Sequence, residues 1–192
     1  MYPLAVEKVA QALGGERMLG APVRTMAELT AAVERGLPRG VVAELAASAA
    51  HGGGGDRRHV ASLVTSPASL KRGALLSPAA SERAERLARV AALARQALGD
   101  DDEARTWLTQ NHPMLGRPPI DLAATDLGAR QVERLLHDID DPDIKKRLNT
   151  AIALADELAI QGTPALVVGD RLLAGAVTLA ELQSAVASAR HR

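Results

Sequence analysis

The stretch 75–100, LLSPAASERAERLARVAALARQALGD, decides the fold. Ser77 before Pro78 reads as a helix start. A serine hydroxyl can accept from the open N–H groups of a first turn, and proline has no N–H to leave unsatisfied there. Ala84, Leu87, Ala88, Ala91 and Leu98 then recur at helical spacing, Glu82, Arg83, Glu85, Arg86 and Arg89 crowd the first half, and Gly99 closes the run. A long helix with a small-residue apolar face needs other helices against it. The composition agrees: 47% of the 192 residues are hydrophobic, yet there is no Phe, one Tyr (Tyr2) and one Trp (Trp107). Such a core is built from Ala, Leu, Val and Ile, the residues of close-packed helices, and the fold class is mainly α.

Toward the N-terminus, residues 5–14 form an amphipathic stretch that stops at Gly14-Gly15. Thr25 and Glu28 have the spacing of a capping box. Leu29, Val33 and Leu37 continue that helix until Gly36-Leu37-Pro38, and Pro38 opens another through Val41, Val42 and Leu45 to about residue 50. The glycine run at 52–55 reads as a flexible break. A third helix is expected at about 56–64 and a short fourth from Ser66-Pro67. Toward the C-terminus, the acidic run 100–103 suits a helix N-terminus, and that helix carries Trp107 and Leu108. Asn111-His112-Pro113 and Gly116-Arg117-Pro118-Pro119 are loop signals, and a helix over about 128–139 presents Val132, Leu135, Leu136 and Ile139. Residues 140–143 mark a boundary. Beyond it come a helix (144–158), Gly162-Thr163-Pro164, two short strands around Gly169-Asp170, and a closing helix (178–190). The reading gives three regions: 1–76, 77–140 and 141–192.

Several function classes are excluded. With no cysteine there is no disulfide, thiolate metal site or dithiol chemistry. The glycine run lies between helices and lacks the Lys-Ser/Thr of a phosphate-binding loop, the five histidines have no metal-ligand spacing, and no serine sits in a Gly-x-Ser-x-Gly elbow. The expectation is a binding protein: not an enzyme, with no cofactor and no metal. No run of about 18 apolar residues and no basic-then-apolar leader occurs, so a cytoplasmic protein without a membrane partner is expected. The net charge is zero, but residues 1–76 hold nine basic against six acidic groups and residues 77–140 eight against eleven. A mildly basic head and an acidic middle suit a nucleic-acid contact in front and a protein contact behind.

Four pieces in register resemble the Xre/MbcA/ParS antitoxins: ALGGERMLG (12–20) with TMAELTAAVERGLP (25–38); the helical region ending SPASLKRG (66–73); the long helix quoted above; and DEARTWLTQNHPMLGRPPIDLAATDLGARQVERLL (102–136). Together they cover about residues 8–140. The resemblance implies a helix-turn-helix-like region at 1–76 and a helical toxin-binding domain at 77–140. It further implies a RES-domain, NAD-degrading toxin as partner of a type II toxin–antitoxin module, and repression of the operon by a homodimer on operator DNA. On that reading Arg57, Arg58, Ser66, Ser69, Lys71 and Arg72 are the DNA-binding candidates. The alternative is that they are solvated cations and capping serines. The loose glycine connection counts against a recognition helix, which should follow a tight turn. The toxin-binding candidates are Trp107, Arg130, Glu133, Arg134 and His137; Trp107 reads first as a core anchor of that domain rather than a contact, and the charged positions read also as a solvated face.

The segment 152–186, IALADELAIQGTPALVVGDRLLAGAVTLAELQSAV, resembles instead the C-terminal part of DsbA-like thioredoxin-fold proteins. That resemblance implies a helix–hairpin–helix fragment in which Pro164 is a cis-proline. Without cysteine it cannot be redox-active, which leaves, as the alternative function, a redox-inactive thioredoxin-like protein with a binding or chaperone-like role. Two short strands need partners. The antitoxin helices, a second copy or a docked protein would each serve, and pairing in a homodimer is the expectation.

Overall fold

The computed structural model describes residues 5–158, 160, 162 and 164–190. The chain divides into two compact units, Met1–Asp141 and Pro142–Arg192. Within the first, the described helices are α1 (Val6–Ala12), α2 (Gly15–Leu19), α3 (Met26–Arg35), α4 (Val41–Ala49), α5 (Gly54–Val64), α6 (Pro67–Leu70), α7 (Pro78–Leu98), α8 (Asp101–Thr109), α9 (Pro119–Leu122) and α10 (Asp126–Asp140).

The axis of this unit is α7. The Ser77 side chain accepts from the Ala80 N–H at 3.3 Å, Pro78 occupies the first turn, and Gly99 ends the helix in the left-handed region (φ 79°) while its N–H reaches the Arg95 carbonyl at 3.0 Å. Positive φ costs glycine nothing, which is why it stands there. The stretch 90–94 is buried on every side. A helix surrounded in this way presents no solvent face, and the three alanines of the stretch, Ala91, Ala92 and Ala94, let neighbouring backbones approach closely. Around it pack α1, α3, α4 and α5 from the N-terminal side and α8 and α10 from the C-terminal side. Regions 1–76 and 77–140 therefore share one core, from Val9 and Leu13 through Leu87 and Val90 to Val132 and Leu136.

Local caps fix the helix starts. Glu28 N–H donates to Thr25 Oγ1 (3.2 Å) while Thr25 N–H donates to Glu28 Oε2 (2.9 Å), a complete capping box. Backbone donors from Arg24 and Thr25 hold the Glu28 carboxyl below the ordinary value. Asp100 takes the N–H groups of Asp102 and Glu103 at the start of α8. Between α3 and α7, Pro38 and Leu75 form an isolated bridge, Leu76 N–H reaches the Leu37 carbonyl (2.8 Å), and buried Ser81 accepts the Leu37 N–H (2.9 Å).

The glycine run is tighter than its composition suggests. Gly54 and Gly55 are the first residues of α5, so the connection from α4 is only the four residues 50–53.

The second unit is described as α11 (Pro142–Glu157), β1 (Ala165–Val168), β2 (Arg171–Ala174) and α12 (Leu179–Arg190). The strands pair antiparallel with Ala165 opposite Ala174 and Val168 opposite Arg171, turning at Gly169 (φ 64°). Thr178 and Glu181 form a capping box for α12. Ala185 is the one buried residue described here, and α11 buries none. The observed architecture is mainly helical with a small two-stranded hairpin near the C-terminus. No helix among the described residues is long and apolar enough to cross a membrane.

Candidate functional site

Helix α10 has two faces because its apolar residues fall at helical spacing. Gly128, Ala129, Val132 and Leu136 are buried against the rest of the unit. Its start is set by Thr125, whose side chain accepts the Gly128 N–H at 3.1 Å. Gly128 itself lies so close to the Leu122 carbonyl that a Cβ there would collide with it.

Three polar ties fasten this helix and its entry to α7. Arg86 donates to the Ala124 carbonyl at 3.1 Å, Arg89 forms an ion pair with Glu133 and with Glu85 (3.0 Å to the latter), and Gln96 donates to Asp140 at 3.3 Å. Glu133 is thus turned toward α7 rather than outward. Its side chain is 17% exposed, and burial raises its pKa above the ordinary 4.5 even though Arg89 pulls the other way.

The opposite face of α10 is open. Leu127, Arg130, Gln131, Arg134 and Asp138 are all exposed, and Leu127 is 80% exposed in spite of its apolar side chain. Arg130 pairs with Asp126 one turn away (3.0 Å), and His137 is half-buried. Beside this face Met114 stands 77% exposed, and Met114, Leu115, Gln131, Arg134, Leu135 and Asp138 line a shallow groove.

The loop that presents Met114 is held from beneath by Trp107. That side chain is half-buried against the core, and its ring meets the His112 ring edge-on, centroids 5.6 Å apart at 64°. His112 receives the N–H groups of Leu115 and Gly116 on its carbonyl and donates its own N–H to Arg117. Trp107 is placed as the loop's support, with Met114 as the exposed tip. Sequence reasoning passed over Met114 and Leu127 because single apolar residues near loops carry no period; their exposure is the signal.

On the N-terminal side, Arg57 and Arg58 are exposed on α5, and Lys71 and Arg72 are exposed just after α6. Ser66 and Ser69 serve the cap of α6: Ser69 N–H donates to Ser66 Oγ (3.2 Å) and the two hydroxyls lie 3.0 Å apart. Arg39 braces the end of α6 through the Leu70 and Gly73 carbonyls (3.3 and 3.2 Å), and Arg83 takes the Val64 carbonyl at the end of α5 (2.9 Å). Two histidines join this side to the residues around α8 and α9. His51 Nδ1 lies 3.0 Å from Thr106 Oγ1, and His59 Nε2 lies 2.6 Å from Asp121 Oδ1.

In the second unit the Pro164 carbonyl accepts the Gly175 N–H at 2.9 Å beside the hairpin. Thr163 lies outside the described residues, and with it the cis bond expected before Pro164. No group of three or more residues suited to hold a metal ion occurs among the described residues.

No curated protein matches the chain. A family model does: that of the antitoxin Xre/MbcA/ParS C-terminal toxin-binding domain, over residues 93–141. The outer face of α10 and the Met114 loop therefore lie inside a segment similar to the toxin-binding domain of a toxin–antitoxin antitoxin.

Proposed function

We propose that the protein is the antitoxin of a type II toxin–antitoxin pair, acting in the cytoplasm by binding and not by catalysis, and that its toxin docks on the outer face of α10. One observation carries this: within the family-matched segment, Leu127 and Met114 stand exposed beside the polar stripe Arg130, Gln131, Arg134 and Asp138. Exposed apolar side chains rimmed by polar groups are the composition of a protein-binding patch. The partner is a RES-domain toxin that degrades NAD, a choice that follows the sequence resemblance. Arg134, Arg130 and His137 contribute at the rim, Trp107 by holding the loop, and Glu133 by fixing the helix to Arg89. Co-expression with the toxin gene, scored by growth and cellular NAD, tests the reading. Rescue by the wild-type chain is expected, and no rescue from a demonstrably toxic RES partner would sink it.

The same antitoxin represses its operon as a homodimer. A four-residue link between α4 and α5 suits a helix-turn-helix, whose turn is about 3–4 residues long. Arg57 and Arg58 on α5, with Lys71 and Arg72 beyond α6, supply the phosphate contacts. Ser66 and Ser69 act by shaping that end of α6. Operator binding in a gel-shift assay, absent on a scrambled duplex, is the expected result.

The redox-inactive thioredoxin-like alternative rests on the order α11, β1, β2, α12 in the second unit. Co-purification with a thiol protein, in a chain unable to neutralise a toxin, would favour it.

A further inference from the structure

The helix α11 is amphipathic, and its apolar face has no cover within its own unit. On a helical wheel Leu154, Leu158, Ala151, Ile144, Ala155, Leu148 and Ile152 fall within an arc of about 160° that holds one charged residue, Arg147, and is wide enough for a face built to be buried. Yet Leu148, Ile152, Leu154 and Leu158 are 58%, 52%, 54% and 43% exposed. The unit around them contributes one buried residue, Ala185, among those described, and the chain holds no cysteine to staple it. A unit of this size without disulfide or metal is completed by association.

The charges say with what. After Asp143 in the first turn, the basic run Lys145, Lys146 and Arg147 stands in the N-terminal half of α11, and Asp156 and Glu157 are its last two residues. Acidic residues in a last turn oppose the helix's own dipole. If a second α11 lies antiparallel across the first with Ala151 facing Ala151, Leu148 meets the partner's Leu154 and Ile144 the partner's Leu158. The same register sets Lys145 and Arg147, on the two flanks of the face, level with the partner's acidic end. The surface is thus complementary to itself in shape and charge, as a twofold interface requires. Five large side chains at roughly half exposure present on the order of 500 Å² per copy, so two copies reach the ~1,000 Å² a specific interface needs. Four-residue strands, by contrast, offer few edge hydrogen bonds.

We propose that the protein forms a homodimer through antiparallel pairing of α11 with a second copy of the same chain. This deepens the homodimer part of the reading above and does not depend on the toxin.

The experiment measures the solution mass of the full chain by light scattering, across a dilution series. Wild type is expected at twice 20.1 kDa. Leu148→Glu should give monomer. Two charge variants leave the apolar side chains in place: K145E/K146E/R147E makes α11 wholly acidic and D143K/D156K/E157K wholly basic. Each alone is expected to dimerise at least about tenfold more weakly, because like charges then meet across the antiparallel pair, and mixing the two should restore a dimer of wild-type strength. Because the chain is free of cysteine, Ala151→Cys should also form a disulfide-linked dimer under mild oxidation. A monomeric wild type, or a dimer indifferent to both charge variants, overturns the proposal, whether the face is then covered by the rest of the chain or by another protein. Toxin neutralisation, measured in parallel, separates the outcomes: a monomeric variant that still neutralises keeps the antitoxin reading. A dimer that never neutralises keeps this proposal and removes that reading.

Discussion

His59, on α5, places its Nε2 2.6 Å from a carboxylate oxygen of Asp121, on α9, so the helix that carries Arg57 and Arg58 is tied directly to the family-matched segment. Both side chains are partly exposed, and such a pair contributes at most about 1 kcal/mol. Asp121→Ala is therefore expected to lower the melting temperature by no more than about 2–4 °C. If the tie transmits anything between the two surfaces, the same change alters operator affinity more than it alters stability. Thermal unfolding and operator titration on one variant compare the two.

Arg89 and Glu133 lie deeper. Arg89→Ala leaves a mostly buried carboxylate without its cation and should cost about 1–3 kcal/mol at pH 7. The folded pKa of Glu133 is raised above 4.5 by burial, so the folded state binds its proton more readily than the unfolded one. Ionising Glu133 thus lowers stability as pH rises through its folded pKa, and the penalty vanishes below 4.5. The cost of Arg89→Ala should consequently shrink on acidification toward pH 4.5, and denaturant melts at pH 7 and pH 5 measure the difference. A larger cost at pH 5 would contradict the account.

At Gly128 the prediction is steric. A methyl group there meets the Leu122 carbonyl and stands 2.9 Å from Thr125 Oγ1, the atom that caps α10. Gly128→Ala should cost about 1–3 kcal/mol and shift the start of α10, so toxin affinity falls together with the melting temperature.

Leu127→Asp and Met114→Asp should behave in the opposite way. Each alters an exposed side chain that supports nothing beneath it, so stability should stay within about 0.5 kcal/mol. Toxin binding should weaken by about tenfold or more if these are the apolar anchors of the patch. Calorimetric titration with an inactivated toxin measures this, and unchanged affinity for both variants would move the docking face elsewhere.

For the N-terminal side, Arg57→Ala and Arg58→Ala should weaken operator binding about equally on all sequences. Each should reduce the slope of log affinity against log salt by about 1, the signature of a lost phosphate contact.

The local signals in the sequence were sufficient wherever the governing contact is local. Ser77-Pro78, Thr25 with Glu28, and Asp100 each act within three residues, and each caps the helix it announces. The glycine run misled because glycine reads as a break, whereas Gly54 and Gly55 are taken into the first turn of α5. The wheel of α10 did hold the inward turn of Glu133, which shares a stripe with Ala129 and Leu136, but its charge argued for the outside. His51 with Thr106 and His59 with Asp121 join positions 55 and 62 residues apart. No spacing rule reaches that far; only the packing around α7 brings them together.

The family match begins at residue 93, inside α7, which starts at Pro78. Cutting the chain there would sever the helix between Ala92 and Leu93, both buried, and strip away its Ser77 cap and the α7 half of the Arg86 and Arg89 ties. The family-matched stretch is therefore not a part that can be transplanted by itself. Grafting the outer face of α10 onto another scaffold means carrying the whole of Met1–Asp141 with it.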